Sequence, residues 1–144
     1  MSMPVIDATG HVVGRLASVV AKRLLNGEEI VVVNAEKAIV TGRRSVVLGE
    51  YTKRRRRGST TSRMRGIGPF YPRKPDMMLR RTISRMVPHQ QARGREALGR
   101  LRVYIDVPER FKGQSFEIIE VAKRPLQGPV LSLGEVARHL GSKF

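Results

Sequence analysis

The sequence predicts an α/β domain built on a mainly parallel sheet. Three features predict it. Residues 5–33 read as strand, helix, strand, a βαβ unit. The run Ile30-Val31-Val32-Val33 is β-branched or aliphatic throughout, which suits a strand covered on both faces. Further helical patterns then alternate with apolar, strand-like segments.

Val5-Ile6-Asp7 is the first strand candidate. A helix follows from about Val13 to Leu25, with Leu16, Val19, Val20 and Leu24 at helical spacing. Asn26-Gly27 stops it. After Ile30–Val33, Ala38-Ile39-Val40 is apolar and ends in Thr41-Gly42. A second helix is expected from Ser45 to about Lys53, with Val46, Val47 and Tyr51 toward the core. Pro69-Phe70-Tyr71-Pro72 should be extended, because proline removes donors and restricts its predecessor.

Asp76 is a candidate N-cap for a helix from Met77 to Met86. Leu79, Ile83, Met86 and Val87 form its apolar stripe; Arg80, Arg81 and Arg85 fall off it. Pro88 ends that helix, and Gln90 to Leu98 reads as another, interrupted at Gly94. Leu101 to Ile105 is a strand candidate, whereas Phe116 to Val121 is apolar without a decisive period. Pro125, Gly128 and Pro129 mark a loop. Ser132-Leu133-Gly134-Glu135 is a capping box for a last helix carrying Leu133, Val136, Ala137 and Leu140, ended by Gly141.

The length of 144 residues is that of one domain, able to bury a core unaided. With sparse aromatics and no Trp, that core must rest on Val, Ile, Leu, Met and Ala. The absence of Cys excludes disulfides, thiolate metal sites and a Cys nucleophile. The N-terminal MSMPVIDATGHVVGR lacks the pattern of a signal peptide. No apolar run approaches the ~20 residues of a membrane span.

The net charge of +16 calls for a polyanionic partner, since such an excess repels itself when nothing neutralises it. It is also localised. Residues 43–102 hold 18 Lys and Arg against three acids, Glu50, Asp76 and Glu96, a net of +15. The densest run is Lys53-Arg54-Arg55-Arg56-Arg57. The stretch from Gly58 to Pro69, with Arg63 and Arg65, is small, polar and turn-rich. Alone it should be mobile and should order on RNA. Arg outnumbers Lys, and guanidinium offers a planar fork for phosphate and a face for stacking on bases. Pro88-His89-Gln90-Gln91-Ala92-Arg93-Gly94-Arg95 is a second basic patch. There a glycine would let backbone approach a phosphate that Arg93 and Arg95 neutralise.

Catalytic patterns are weak. Gly10-His11-Val12-Val13-Gly14 sits where a dinucleotide fingerprint would, but has the wrong spacing; a tight turn and close helix packing are the competing explanation. His11, His89 and His139 lack metal-ligand spacing. Asp7, Asp76 and Asp106 are isolated, whereas a metal-dependent nuclease needs clustered carboxylates.

Several motifs in order resemble the large-subunit ribosomal protein thirteen family. They are Asp7-Ala8, Gly14-Arg15-Leu16-Ala17-Ser18, Val33-Asn34-Ala35-Glu36-Lys37, Thr41-Gly42, Arg80-Arg81-Thr82-Ile83, Met86-Val87-Pro88-His89, Arg93-Gly94, Ala97-Leu98 and Leu101-Arg102-Val103-Tyr104. The basic loop and Gly68-Pro69-Phe70 resemble its archaeal and eukaryotic branch, and the short C-terminus its archaeal members. Arg85 departs from the family's usual glycine, Val87 from its leucine, and Gln90-Gln91 stand where lysine is common.

The resemblance implies a three-layer α/β/α fold with a four-stranded parallel sheet, and residues 1–144 as one domain with a basic insertion at about 53–75. It implies a non-catalytic, cytoplasmic role in the ribosome: binding large-subunit ribosomal RNA beside neighbouring ribosomal proteins and supporting early assembly. No cofactor, metal, membrane or small-molecule substrate is expected. The RNA-binding candidates are Arg43, Arg44, Lys53, Arg54, Arg55, Arg56, Arg57, Arg63, Arg65, Arg73, Lys74, Arg80, Arg81, Arg85, His89, Arg93 and Arg95. A free DNA- or RNA-binding regulator and a nucleotide-dependent enzyme using Gly10–Gly14 are the competing readings. Charge carried in a loop suits irregular RNA better than a DNA groove.

Overall fold

The computed structural model describes residues 3–57, 69–123 and 126–144. In chain order the elements are β1 (Val5–Asp7), α1 (Val13–Leu25), β2 (Ile30–Val33), β3 (Ile39–Thr41), α2 (Arg44–Arg56), α3 (Pro75–Arg85), α4 (Ala92–Gly99), β4 (Leu101–Val103), β5 (Val130–Ser132) and α5 (Leu133–His139).

The first βαβ unit is as expected. β1 pairs in parallel with β2, with Val5 opposite Val31, and β2 pairs in parallel with β4, with Ile30 opposite Leu101. All four residues of β2 are buried, as its unbroken aliphatic run requires at the centre of a covered sheet. Leu16, Ala17, Val20, Ala21 and Leu24 form the buried stripe of α1, and Asn26 and Gly27 end it, Gly27 at φ +97°. This stripe packs with Ile6, Ile30, Val32, Leu79 and Ile83 in the main core, which α5 completes with Leu133, Val136 and Ala137. Val5, Val31, Val33 and Phe111 form a smaller cluster, against which Tyr104 and Phe116 pack.

The sheet differs from the expected four parallel strands. Among the described residues it has three, in the order β1-β2-β4. On the free side of β1 Glu117 forms an isolated parallel bridge: its N–H donates to the Val5 carbonyl at 2.8 Å and its carbonyl accepts from the Asp7 N–H at 3.2 Å. β3 leaves the sheet and pairs antiparallel with β5, Val40 opposite Leu131. This ribbon leads directly into α5, where the Ser132 hydroxyl accepts the Glu135 N–H at 3.2 Å, as the capping motif predicts.

Three helices depart from their expected forms. α2 extends past Lys53 through Arg56. Four basic residues in its last turn face the negative end of the helix dipole, which offsets part of their mutual repulsion. Its core contacts are Val47, Leu48 and Tyr51, while Val46 is 59% exposed. Asp76 does not cap α3. Lys74 is the cap residue and Pro75 takes the first helical position, which needs no N–H. The α3 stripe uses Met78 with Leu79, Ile83 and Val87, and Met86 turns outward. α4 is not broken at Gly94, which lies buried inside it.

Candidate nucleic-acid interface

The C-terminal half of α2, the extended Tyr71-Pro72, α3 and α5 surround a cleft of about 450 Å³. Met78, Leu133 and Leu140 supply its apolar wall. Tyr51 and Tyr71 bring rings to it, and Arg54, Arg55, Arg57, Arg81 and Arg85 line it with guanidinium groups. Sequence positions 51 to 85 thus converge because α2 and α3 both pack against the core near α5.

Several guanidiniums are stacked in place. Arg54 lies 5.5 Å from the Tyr51 ring centre, Arg55 5.5 Å from Phe70 and Arg81 4.7 Å from Tyr71. Phe70 itself is 70% exposed. Rings and planar cations in alternation form a surface on which unpaired bases can stack while the cation edges face phosphates. Burial raises the Tyr51 phenol's pKa, so the ring stays neutral; Arg54 opposes this weakly.

Partners of opposite sign are scarce. Among the described residues the ion pairs involve only Arg23, Arg44 and Arg54: Arg23 with Glu28 and Glu117, Arg44 with Glu135 at 3.7 Å, and Arg54 with Glu50 at 4.0 Å. Arg43, Lys53, Arg56, Arg57, Arg73, Lys74, Arg81 and Arg85 have no carboxylate within 4.0 Å among those residues. Arg56 and Lys53 flank a separate shallow groove with Thr52 and His139. Arg73 and Lys74 are exposed just before α3. Arg63 and Arg65, with the expected mobile stretch around them, lie outside the described residues.

Three candidates turn out to be held by the fold. Arg80 is part-buried and donates to the carbonyls of Leu101 (3.0 Å) and Leu98 (3.2 Å), tying α3 to the end of α4. Arg55 donates to the Tyr71 carbonyl, and its buried Nε has no partner among the described residues. Burial, then the charge of Arg73, lowers its pKa. Arg95 donates to the Gln90 carbonyl at 3.0 Å, although its side chain remains exposed. Periodicity separated Arg80 from the apolar stripe but could not show that two carbonyls waited beside it.

The 88–95 patch also differs from expectation. A Cβ on Gly94 would stand 2.0 Å from the Pro88 carbonyl oxygen. The glycine therefore lets the turn of residues 88–91 close onto α4, and the space is filled by protein, not left for a phosphate. His89 and Arg93 are exposed; His89 Nδ1 lies 3.2 Å from the Ser84 carbonyl.

Three backbone donors of the Gly10–Gly14 loop are committed to the fold. Gly10, at φ +72°, donates its N–H to Lys37, His11 to Ala8 and Val12 to Ala122. His11, at zero exposure, fills the space beneath the loop. Gly10 serves a turn, but a Cβ on Gly14 would meet nothing, so close packing does not explain that glycine. Among the described residues no group of three potential metal ligands occurs, and no helix is long and apolar enough to cross a membrane.

Comparison with known proteins gives a consistent result. A family model described as ribosomal protein L13 matches residues 2–110. The chain is 48% identical over 145 residues to the large ribosomal subunit protein uL13 of Methanosarcina barkeri, covering 99% of this chain and all of that protein. It is 44% identical to uL13 of Methanococcoides burtonii over 144 residues, with 99% and 100% covered. With uL13 of Archaeoglobus fulgidus the identity is 48% over 140 residues, with 95% and 86% covered.

Proposed function

The chain belongs to the ribosomal protein L13 family, and from that premise we propose that it is a non-catalytic constituent of the large ribosomal subunit. It binds ribosomal RNA, takes its place beside other large-subunit proteins in the cytoplasmic ribosome, and supports early subunit assembly and translation. The observation that carries this reading is the α2–α3 cleft, where five guanidiniums converge and only Arg54 has a nearby carboxylate among the described residues. Phosphate is the natural counter-charge for such a group.

In this reading the stacked pairs Arg54/Tyr51 and Arg81/Tyr71 meet unstacked bases, while Arg57 and Arg85 at the cleft and Arg43, Lys53, Arg56, Arg73 and Lys74 around it meet phosphates. Arg63, Arg65, His89, Arg93 and Arg95 extend the same interface, and Arg44 divides its charge between Glu135 and the RNA. Arg55 and Arg80 support the surface from behind. The 144 residues act as one domain. The family's four-stranded, three-layer arrangement would be reached here through the Glu117 segment, which already contacts the free side of β1.

Sucrose-gradient sedimentation of native lysate tests the reading. The protein should travel with the large subunit at moderate salt. Recovery only in soluble or nucleoid fractions would sink the ribosomal assignment. Thermal melting with NAD or ATP separates the enzyme alternative, because a saturable stabilisation would revive it.

A further inference from the structure

A second group of guanidiniums lies away from the α2–α3 cleft, at the β4 edge of the parallel sheet. Arg100 and Arg102, which flank the start of β4, and Arg110, from the 3₁₀ turn Glu109–Phe111, line one pocket of about 200 Å³. Two of them are positioned by backbone. Arg100 Nη2 donates to the Leu24 carbonyl at the end of α1 at 2.8 Å, and its buried Nε has no partner among the described residues. Arg102 Nη1 donates to the carbonyls of Gly99 (2.9 Å) and Leu101 (3.2 Å). Arg110 is positioned by aromatic rings: its guanidinium lies 4.7 Å from the Phe111 ring centre and 5.2 Å from that of Tyr104.

Among the described residues the only acid in the pocket wall is Glu29, and it is not within 4.0 Å of any of the three. Three cations against one carboxylate leave a net charge of +2 around a pocket this small. Guanidiniums already held by carbonyls and rings lose little side-chain freedom when an anion arrives. Their remaining N–H groups form the fork that suits phosphate.

We propose that this pocket holds a backbone phosphate of a second RNA segment, so that the chain joins two RNA strands, one at the α2–α3 cleft and one at the β4 edge. The inference rests on the reading that the α2–α3 cleft binds RNA. An RNA phosphate is favoured over an acidic protein segment because a nucleotide would use both the guanidiniums and the exposed face of the Arg110–aromatic stack.

The test uses the full chain with a short single-stranded RNA carrying a donor dye and the same RNA carrying an acceptor. Energy transfer at moderate salt reports that one protein joins two RNAs. Wild type should give transfer. Arg102→Gln with Arg110→Gln should abolish it, weakening the second RNA about tenfold or more while leaving the affinity of the first unchanged. Glu29→Lys should act oppositely and tighten the second RNA, which keeps the inference testable should the double variant fold poorly.

Transfer undiminished in the double variant, or a wild type that binds one RNA and never a second, would overturn the inference and leave the α2–α3 reading standing. A wild type that binds no RNA at all would remove both. Labelled hexaglutamate that binds wild type, is lost in the double variant and is not displaced by RNA would assign the pocket to an acidic protein segment and overturn the proposal.

Discussion

The buried ring of His11 accepts the backbone N–H of Ile119 through Nε2 at 3.0 Å, joining two residues 108 positions apart. Its other nitrogen, Nδ1, lies 3.2 Å from the Thr9 carbonyl and donates to it, so the ring is neutral with its proton on Nδ1. One side chain thereby fastens the loop before α1 to the segment after Glu117, which closes the far side of β1.

This bond makes stability fall on mild acidification. Burial, outweighing hydrogen bonds at Thr9 and Ala8, lowers the pKa of His11 below its ordinary 6.5. Below pH 6.5 the unfolded chain takes up a proton that the folded chain resists. Stability is therefore full above 6.5 and declines as pH falls toward the folded pKa, by up to about 1.4 kcal/mol per pH unit. Denaturant melts between pH 8 and 5 read this slope, and His11→Gln should flatten it. That variant should also lose about 1–3 kcal/mol at pH 8 if it leaves the Ile119 N–H unpaired. Asp7 acts in a lower window. Burial would raise its pKa, but hydrogen bonds from Thr9 and Asn34 outweigh burial and hold it below 3.8. Its contribution is present above that pH and is lost as pH falls through the folded value.

Gly94→Ala should destabilise the protein by roughly 1–3 kcal/mol, because its Cβ would meet the Pro88 backbone and not a flexible side chain. Thermal melting checks this. Gly99, at the end of the same helix, has nothing within 4 Å of an added Cβ, so Gly99→Ala should be tolerated. If Gly94 served phosphate approach instead, the Ala variant would lose RNA affinity and keep its melting temperature.

Arg80 and Arg81 are neighbours with different expected roles. Arg80→Met should cost about 1.5–3 kcal/mol of stability, since two carbonyls lose a charged donor, and should leave RNA affinity little changed while the protein is folded. Arg81→Gln should weaken RNA binding with little effect on melting, because Arg81 stacks on Tyr71 and has no carboxylate within 4.0 Å among the described residues. Comparing melting temperature and RNA affinity in the two variants separates these roles.

The contrast between those arginines shows what a sequence reveals. α1 and β2 were legible to the residue because their signals are local: helical spacing ending in Asn26-Gly27, and an unbroken aliphatic run. The concentration of charge between Arg43 and Arg102 was equally legible, since it needs only counting. The functions of single arginines were not, because they depend on long-range partners. Arg80 finds carbonyls 18 and 21 residues away, and Arg55 finds Tyr71 16 residues away. The departure of β3 from the main sheet was hidden for the same reason, since its partner β5 lies near the C-terminus. The helical extension through Arg56 was hidden because its support, the helix dipole and the rings of Tyr51 and Phe70, does not show in the local run of like charges.

The most direct measurement of the central claim is the salt dependence of binding to transcribed large-subunit ribosomal RNA. It should compare wild type with Arg54→Gln, Arg56→Gln and Arg57→Gln combined. Arg55 is left intact because it holds Tyr71. If Arg56 and Arg57 contact phosphates while Arg54 stacks against a base, affinity should fall and the slope of log K against log salt should become shallower by roughly 1.4–1.8, about 0.7–0.9 per lost phosphate contact. A slope equal to that of wild type, with affinity unchanged, would contradict the claim and make the basic end of α2 a solvated surface that takes no part in binding.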